Sequence, residues 1–281
     1  MGAGSLAGGG HPPPGGLVRT TGCEAMTSKH AVVTGAASGI GADCSRDLVG
    51  RGCTVFGLDM DAGRLEQVAA HAKGGPGKFI PIPCDTASSA SLAQAFERVR
   101  GATATLDALV CSAGVFRTGA LMDLSEADYD ALFDINTKGC WLTAKAAYPL
   151  LRQAASPDAP ARVVFVASAA ALRPKTGGGA YAASKVALTY LTRVLAVELA
   201  SEAILVNAVA PATVDTPLVQ KLVADAATSG YRVSGVSPLG RVARPSDVTA
   251  VIRFLLGDDS RYMTGTILPI DGGSVAAVSS K

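Results

Sequence analysis

A tyrosine and a lysine lie four residues apart in the segment AYAASK, residues 180–185. In a helix, positions i and i+4 share one face, so Tyr181 and Lys185 would point in the same direction. A phenol is a weak acid, and a neighbouring ammonium favours its ionised form, which suits acid/base catalysis on an alcohol or a ketone. The same spacing also fits an ordinary amphipathic helix with a packed tyrosine and a lysine whose stem covers apolar surface. The pair alone therefore leaves catalysis and packing both open.

A glycine-rich stretch, TGAASGIG at residues 34–41, follows the first apolar run of the chain. Gly35, Gly39 and Gly41 lie where a predicted strand turns into a predicted helix. Glycines at such a turn let backbone N–H groups and a helix N-terminus approach a pyrophosphate. The spacing is GxxxGxG rather than the GxGxxG of many dehydrogenases, so by itself it favours cofactor binding and a merely tight turn equally.

An acidic residue, Asp59, ends the next apolar run 18 residues beyond Gly41. This is near the distance expected of a carboxylate that accepts hydrogen bonds from the adenosine ribose of a dinucleotide. Neither Ser38 nor Met60 supplies a cation for a 2′-phosphate, so the sequence favours NAD over NADP. A nearby cation, Arg64, is the one residue that argues against NAD. The alternative explanation of Asp59 is that it only begins a turn, as aspartate commonly does.

Short apolar runs alternate with helical stretches from residue 30 onward. Runs that are apolar on both faces and separated by helices predict a parallel sheet covered on both sides. The expected fold class is therefore α/β, a doubly wound Rossmann fold with a seven-stranded parallel sheet, whose ligands bind at the carboxyl ends of the strands. The predicted strands are 31–35, 54–59, 78–85, 106–114, 161–168, 203–211 and 265–273, and the predicted helices include 39–52, 90–100, 125–153 and 180–200.

The overall composition argues against several classes of protein. Of 281 residues, 48% are hydrophobic and 17% charged, and the net charge is +2, which gives no electrostatic footprint for nucleic acid or a membrane surface. No run approaches the ~20 continuous apolar residues of a membrane span. The six cysteines include no CxxC pair and the three histidines lie far apart, so we expect reduced thiols and no metal. These features predict a soluble, cytoplasmic protein with a small-molecule partner.

The domain organisation expected from these patterns is simple. Residues 1–27 are rich in Gly and Pro and predict a disordered extension, within which Met26 would serve as a start and leave the first 25 residues without a function. Residues 28–276 are expected to form a single dinucleotide-binding and catalytic domain. Residues 277–281 would be a short tail.

Further motifs follow the glycine turn and Asp59 in a fixed order. They are CD at 84–85, CSAG at 111–114, Asn136, Ser168, YAASK at 181–185, PATVDTP at 211–217 and IDGG at 270–273. In this order the sequence resembles the short-chain dehydrogenase/reductase family, in its single-domain branch, from about residue 28 to 274. Ser168 precedes Tyr181 by 13 residues, which is the spacing of the family's catalytic serine and tyrosine.

The resemblance implies a catalytic set of Asn136, Ser168, Tyr181 and Lys185. Tyr181 would exchange a proton with the substrate oxygen during hydride transfer, and Ser168 would hydrogen-bond that oxygen. Lys185 would also hold the cofactor ribose, and Asn136 would position a water linking Lys185 to solvent. The implied NAD-binding residues are Gly35, Ser38, Gly39, Ile40, Gly41, Asp59, Cys84, Asp85, Ser112, Ala113, Gly114, Tyr181, Lys185, Pro211, Val214 and Thr216.

Four residues depart from the family pattern. Cys111 and Ser112 replace a pair of asparagines that usually brace the central strands. Ala212 replaces a glycine near the nicotinamide, and Leu205 replaces an arginine. None of them is the expected acid/base group.

The substrate pocket is expected to be mainly apolar. A lid from about residue 216 to 236 carries small and apolar residues, with Gly230 and Gly235 as hinges. Arg117 and Arg173 are candidates for an anionic substrate, but an arginine on an exposed loop is more often only solvated. The remaining walls are expected from Val115, Phe116, residues 169–172 and Leu218.

Together these features predict an NAD-dependent oxidoreductase that interconverts a secondary alcohol and a ketone. The alternative within the family is a 3-oxoacyl thioester reductase, because PLGRVARPSDV and YMTGTILPIDGG also resemble the 3-oxoacyl carrier-protein reductases. An alternative of another class is a non-catalytic NAD(H)-sensing protein, which needs only the glycine turn and Asp59. The resemblance also implies a homotetramer. The face between subunits would include Trp141, Tyr148, Leu188, Leu191 and Leu195. The same apolar pattern fits packing against the sheet equally well.

Overall fold

The computed structural model describes residues 29–224 and 233–277. Seven strands form one parallel sheet in the order β3-β2-β1-β4-β5-β6-β7. The predicted doubly wound α/β fold is confirmed. The strands are β1 His30–Thr34, β2 Thr54–Asp59, β3 Lys78–Pro83, β4 Ala108–Cys111, β5 Ala161–Val166, β6 Ile204–Pro211 and β7 Ile267–Ile270.

Three predicted segments lie wholly or partly outside the described residues. They are the extension 1–27, residues 225–232 of the predicted lid, and most of the tail 277–281. The described start of the lid is helical.

Eight α-helices connect the strands in the described part of the chain, and the predicted segments 39–52, 90–100 and 180–200 are all helical over most of their length. The helices are α1 Gly39–Gly50, α2 Ala62–His71, α3 Ser89–Ala102, α4 Glu126–Phe133, α5 Cys140–Ala154, α6 Gly179–Leu199, α7 Pro217–Ala224 and α8 Pro245–Leu256. The segment 125–153, expected as one continuous helix, is divided by a π-helical stretch at Asp134–Gly139. Such widened turns occur often at functional sites. Asn136 lies within it.

The two faces of the sheet bury separate hydrophobic cores, as the alternation of side chains along each strand requires. On one face, Val32 of β1 packs with residues of α3, α5 and α6, including Phe96, Leu151 and Leu188. On the other face, Val33 packs with residues of α1 and α8, including Leu48. The sheet is therefore held rigidly between helices, and the ends of its strands have fixed positions.

Strands β1 and β4 are neighbours in the sheet although two strands separate them in the sequence. The order of the strands reverses between them, which is where open α/β sheets form a ligand crevice. The predicted run 106–114 is a strand only at Ala108–Cys111. It ends there because the N–H groups of Ser112 and Ala113 both donate to Thr34 Oγ1, each over 3.1 Å, and leave the strand ladder.

In the part of the chain that the structure describes, no helix is long and apolar enough to cross a membrane. Within the same ranges, His, Cys, Asp and Glu side chains form no group of three or more that could hold a metal ion. The five described cysteines are all buried. Burial raises the pKa of Cys53 to about 11, so this thiol is neutral at physiological pH.

Candidate active site

The glycine turn brings the backbone of β1 close to that of β4. Gly35 has a φ of +67°, and a Cβ there would lie 2.8 Å from the backbone nitrogen of Ala113. A Cβ on Gly41 would overlap the carbonyl oxygen of Gly35. The start of α1, at Gly39 and Ile40, lies on the wall of the crevice, and a helix N-terminus in such a place can bind a phosphate group.

Asp59 ends β2 and reaches back to the glycine turn. Its Oδ2 accepts a hydrogen bond from the N–H of Ala37 at 3.1 Å, and its Oδ1 accepts one from the N–H of Asp61 at 3.0 Å. Arg64 pairs with Asp61 at 3.4 Å. The Asp59 carboxylate thus has a fixed position beside the glycine turn, and the cation of Arg64 pairs with Asp61.

Asn136 connects the segment after β4 to helix α6. Its side chain is fully buried. Oδ1 accepts from the N–H of Val115 at 2.9 Å, and Nδ2 donates to the carbonyl oxygen of Val115 at 3.0 Å and to Ser184 Oγ at 3.1 Å. Ser184 Oγ in turn donates to the carbonyl oxygen of Tyr181 at 2.7 Å. The amide therefore fixes Val115 relative to the helix that carries Tyr181.

Tyr181 and Lys185 lie one turn apart near the start of α6, as the sequence predicted. Lys185 is only 4% exposed, and its Nζ donates to the carbonyl oxygen of Val166 at the end of β5, over 2.8 Å. This ammonium lies 6.0 Å from the centre of the Tyr181 ring. The Phe116 ring packs against Tyr181 with 4.3 Å between centroids, which limits where the phenol can point.

Ser168 follows β5 at the same edge of the sheet. Its Oγ accepts a hydrogen bond from the N–H of Ala170 at 3.1 Å, which holds the short turn Ala169–Ala171. Because the oxygen acts as acceptor in this contact, the hydroxyl can still donate its proton to another group.

A cavity of about 350 Å³, here called the strand-end cavity, lies at the carboxyl ends of the strands. Two expected site residues do not line it. Gly41 is buried against Gly35, and the Asn136 side chain is occupied by Val115 and Ser184, with the neighbouring Ile135 lining the cavity instead. The expected residues that do line it are Gly35, Ser38, Gly39, Ile40, Asp59, Cys84, Asp85, Ser112, Ala113, Gly114, Ser168, Tyr181, Lys185, Pro211, Val214 and Thr216.

A second cavity of about 680 Å³, here called the outer cavity, adjoins the first. Phe116 and Arg173 line it, whereas Arg117 is exposed and pairs with Asp128 at 3.0 Å. Both cavities are lined by five shared residues, Ser168, Tyr181, Ala212, Leu218 and Val219. A molecule in one cavity therefore meets a molecule in the other at Ser168 and Tyr181.

Sequence reasoning missed several residues that shape the site. Thr34 supplies the acceptor that joins β1 to the segment after β4, and Ser184 fixes the Asn136 amide. Both belong to motifs that were recognised, TGAASGIG and YAASK, but their hydroxyl contacts join residues 48 or more positions apart and leave no periodic signal. Met60 and Thr86 also line the strand-end cavity.

The departures from the family pattern have definite positions. The Cys111 thiol is buried and donates to the carbonyl oxygen of Cys140, 3.9 Å away. Burial raises the pKa of Cys111, so the thiol stays protonated and acts as a small apolar group. Ala212 lines both cavities, and Leu205 is half-buried on β6.

Comparison with known proteins places the chain in a family. A family model described as enoyl-(acyl carrier protein) reductase matches residues 35–275. The 3-oxoacyl-[acyl-carrier-protein] reductase FabG of Thermotoga maritima is 34% identical over 251 residues, which cover 89% of this chain and 99% of that one. The cis-4-hydroxycyclohexanecarboxylate dehydrogenase of Sinomonas cyclohexanicum is 36% identical and covers 90% of this chain and 99% of its own.

A solved structure gives the same assignment. Pseudomonas aeruginosa RhlG, in an active-site complex with NADP, superposes with a TM-score of 0.80 at 30% identity, covering 90% of this chain and 99% of that chain. The protein belongs to the short-chain dehydrogenase/reductase family and is an oxidoreductase. Members of this family use nicotinamide cofactors.

The residues of the strand-end cavity fit such a cofactor. Gly35 and Gly39 both have positive φ, and a Cβ at either position would contact neighbouring atoms within 3.1 Å. The backbone of the turn therefore stays uncovered beside the N-terminus of α1, which suits a pyrophosphate. Asp59 lies on the same lining, where a carboxylate would meet ribose hydroxyls.

Proposed function

We propose that the protein is an NAD-dependent oxidoreductase that interconverts a secondary alcohol and a ketone, with Tyr181 as the general acid/base. The observation that carries this proposal is the meeting of the two cavities at Ser168 and Tyr181. A cofactor in the strand-end cavity and a substrate in the outer cavity would have their reacting ends beside the same hydroxyl groups. Bringing reactants together in this way removes much of the entropic cost of their encounter.

The side chains at this junction have complementary roles. Tyr181 takes the proton from the carbinol hydroxyl, or returns it to the ketone, and such catalysis contributes about 10²- to 10⁴-fold. Ser168 donates its hydroxyl proton to the same substrate oxygen, since its own oxygen already accepts from Ala170. The bound nicotinamide supplies the hydride chemistry.

Two further residues support Tyr181. Lys185, held by the carbonyl oxygen of Val166 and lining the strand-end cavity, supplies a cation next to the phenol and donors for ribose hydroxyls. The side-chain amide of Asn136 bonds to both Val115 and Ser184 and so fixes the position of Val115 relative to α6. A water held by Asn136, as the family resemblance implies, would have to use its backbone carbonyl, because this amide is occupied.

Asp59 supports NAD as the cofactor. The N–H groups of Ala37 and Asp61 hold its carboxylate on the cavity lining. The 2′-phosphate of NADP would be repelled by this fixed negative charge. Met60, the next residue, is 70% exposed and offers no charge to attract the phosphate. Arg64, the nearest cation in sequence, pairs with Asp61.

Reduction of a 3-oxoacyl thioester is the second candidate. It is supported by the FabG relative, which matches almost the whole length of both chains. A thioester substrate would extend from Tyr181 along the outer cavity, whose volume of about 680 Å³ accommodates a chain. This candidate uses the same residues in the same roles and differs only in the substrate.

The proposal is tested by initial rates with NAD and NADP, side by side, over a panel of secondary alcohols that includes cyclic alcohols, sterols, sugars and hydroxyacyl thioesters. We expect reduction of NAD to exceed that of NADP for one favoured class. Preference for a hydroxyacyl thioester would support the second candidate. Activity with NADP alone would contradict the role of Asp59, and binding of NADH without turnover of any substrate would favour a sensor.

We also propose that the protein is a cytoplasmic homotetramer. The buried thiols suit a reducing compartment. Leu188 and Leu195 pack into the core, so the exposed apolar stripe of α6 is instead Val186, Tyr190 and Val197, the last two 67% and 80% exposed. Together with Trp141 on α5, this stripe is a candidate face between copies. Light scattering is expected to give the tetrameric mass, and a monomeric mass at micromolar concentration would contradict this.

A further inference from the structure

The π-helical stretch Asp134–Gly139 contacts two distant parts of the active site. On one side, Asn136 Nδ2 donates to Ser184 Oγ at 3.1 Å, and Thr137 Oγ1 donates to the carbonyl oxygen of Ser184 at 2.8 Å. These hydrogen bonds hold the stretch against α6. On the other side, the backbone of Gly139 lies against the segment that follows β3. The stretch therefore connects α6 to the far edge of the sheet.

Gly139 is in close contact with the backbone of Thr86. The residue is buried, and a Cβ on it would lie 3.0 Å from the carbonyl oxygen and 3.3 Å from the carbonyl carbon of Thr86. Because both distances are shorter than ordinary van der Waals contact, a side chain here would force one of the two segments to move by a few tenths of an ångström. A further close atom, the carbonyl oxygen of Asp134 at 3.1 Å, belongs to the same widened turn.

The strand order places Thr86 at the end of the strand-end cavity that is far from α6. It follows the edge strand β3, which lies beyond β2 and its terminal residue Asp59. A cofactor with its pyrophosphate at the glycine turn and its ribose at Asp59 would place its adenine beyond Asp59, beside Asp85 and Thr86. The nicotinamide would extend the opposite way, across β4 toward Tyr181. Thr86 therefore belongs to the adenine end of the cavity.

The π-helical stretch is the more firmly held of the two segments that meet at Gly139. Three hydrogen bonds of the Asn136 amide and one of the Thr137 hydroxyl attach it to neighbouring segments. Thr86, by contrast, follows an edge strand that is supported by a neighbouring strand on one side. A displacement at this contact is therefore expected at Thr86 rather than at Asn136.

We propose that Gly139 is a positioning residue for the cofactor. Its lack of a side chain lets Thr86 lie against the firmly held π-helical stretch, and this contact sets the shape of the adenine end of the strand-end cavity. The proposal rests on the proposed function, because it assigns that cavity to an adenine dinucleotide. Gly139 lies behind the cavity wall rather than on it and acts through Thr86. Its effect should therefore fall on binding of the adenine half of the cofactor and not on the reaction at Tyr181.

The test separates the two halves of the cofactor and does not depend on turnover. With the full-length protein, calorimetry measures binding of ADP-ribose, which carries the adenine end, and fluorescence titration measures binding of reduced nicotinamide mononucleotide, which carries the other end. Gly139→Ala should weaken ADP-ribose binding about fivefold, the effect of one hydrogen bond, and change binding of the nicotinamide fragment less than about twofold. In steady-state kinetics, KM for NAD should rise while kcat is unchanged.

A matched control is Gly101 on α3, a helical glycine whose Cβ would meet nothing within 4 Å. Gly101→Ala gains the same helix propensity without the close contact, so it should bind both fragments as the wild type does. The proposal would be overturned if Gly139→Ala weakened both fragments equally or neither of them. Loss of the fold in Gly139→Ala alone would also overturn it, because the glycine would then serve only the widened turn.

The proposed function is read separately from this comparison. If the wild type failed to bind ADP-ribose, adenine would not lie beside Thr86 and the role of Gly139 would be contradicted. Failure of every alcohol to reduce NAD, with ADP-ribose still bound, would instead contradict the proposed function alone.

Discussion

The N–H group of Ala113 donates a 3.1 Å hydrogen bond to Thr34 Oγ1, and this contact joins the end of β1 to the segment that follows β4. The neighbouring N–H of Ser112 donates to the same oxygen. Two adjacent parts of the strand-end cavity wall, Gly35 after β1 and Ser112 with Ala113 after β4, are therefore joined through one hydroxyl group. Without it the two N–H groups would lose their acceptor in a partly buried place, which is costly.

Replacing Thr34 by valine should lower the stability of the protein. The free energy of unfolding is expected to fall by about 1–3 kcal/mol, since two partly buried donors lose their acceptor. Thr34→Ser keeps the hydroxyl and should recover most of the loss. Urea unfolding of the three proteins measures this, and equal stability of the valine and serine variants would contradict the importance of the contact.

Gly35 is expected to tolerate no side chain. Gly35→Ala places a methyl group 2.8 Å from the Ala113 nitrogen in a residue with a φ of +67°. Gly74 is a matched control, because it has a φ of +85° but its Cβ would meet nothing within 4 Å. Gly35→Ala should cost at least about 2 kcal/mol more than Gly74→Ala in unfolding free energy, the difference being overpacking. It should also weaken NADH binding, measured by fluorescence titration; similar values for both variants would contradict the close approach.

Much of the fold was predictable from local pattern. Apolar runs predicted all seven strands. The five inner strands are buried on both faces and must be apolar throughout, whereas the edge strands β3 and β7 are only partly buried. The division of the segment 125–153 was not predictable. The π-helical stretch is stabilised by Asn136 contacting Val115 and Ser184, and the latter lies 48 residues away. Periodicity carries no information about such a contact.

The site was predictable to a similar extent. Family motifs identified sixteen of the residues that line the strand-end cavity, but they did not indicate which motif residues only hold the backbone in place. Gly41 permits close packing against Gly35, and the Asn136 amide is occupied by its neighbours. The hydrogen bond from Lys175 to Ser234 was not predictable either, because the two residues are 59 positions apart in the sequence.

Asp59 is expected to determine the cofactor. Asp59→Asn removes the negative charge but keeps one acceptor oxygen for the turn, so the protein should remain folded. The ratio of kcat/KM for NAD to that for NADP should fall at least about tenfold, which corresponds to about 1.4 kcal/mol. Glu66→Gln, an exposed acid on α2, is the control and should leave the ratio unchanged. An unchanged ratio in Asp59→Asn would show that cofactor selection lies elsewhere.

Acid stability should depend on Asp247 at the start of α8. Arg241 donates to both oxygens of this carboxylate and the N–H of Arg244 to one, which lowers its pKa to about 2. A carboxyl whose pKa is lower in the folded state stabilises the fold above its unfolded pKa of about 3.9, and this contribution is lost as the pH falls toward 2. Asp247→Asn should therefore reduce the melting temperature at pH 6 more than at pH 2. The exposed Asp158→Asn should show no such difference, and an equal effect of Asp247→Asn at both pH values would contradict the account.

The most direct test of the central claim is turnover by Tyr181→Phe, measured with NAD and the best alcohol of the panel beside NADH binding by fluorescence. Phenylalanine keeps the ring that packs against Phe116 and removes only the hydroxyl group. The account predicts that NADH binding changes less than about twofold, while kcat falls by about 10²-fold or more. Turnover near the wild-type rate in this variant would contradict the assignment of Tyr181 as the general acid/base.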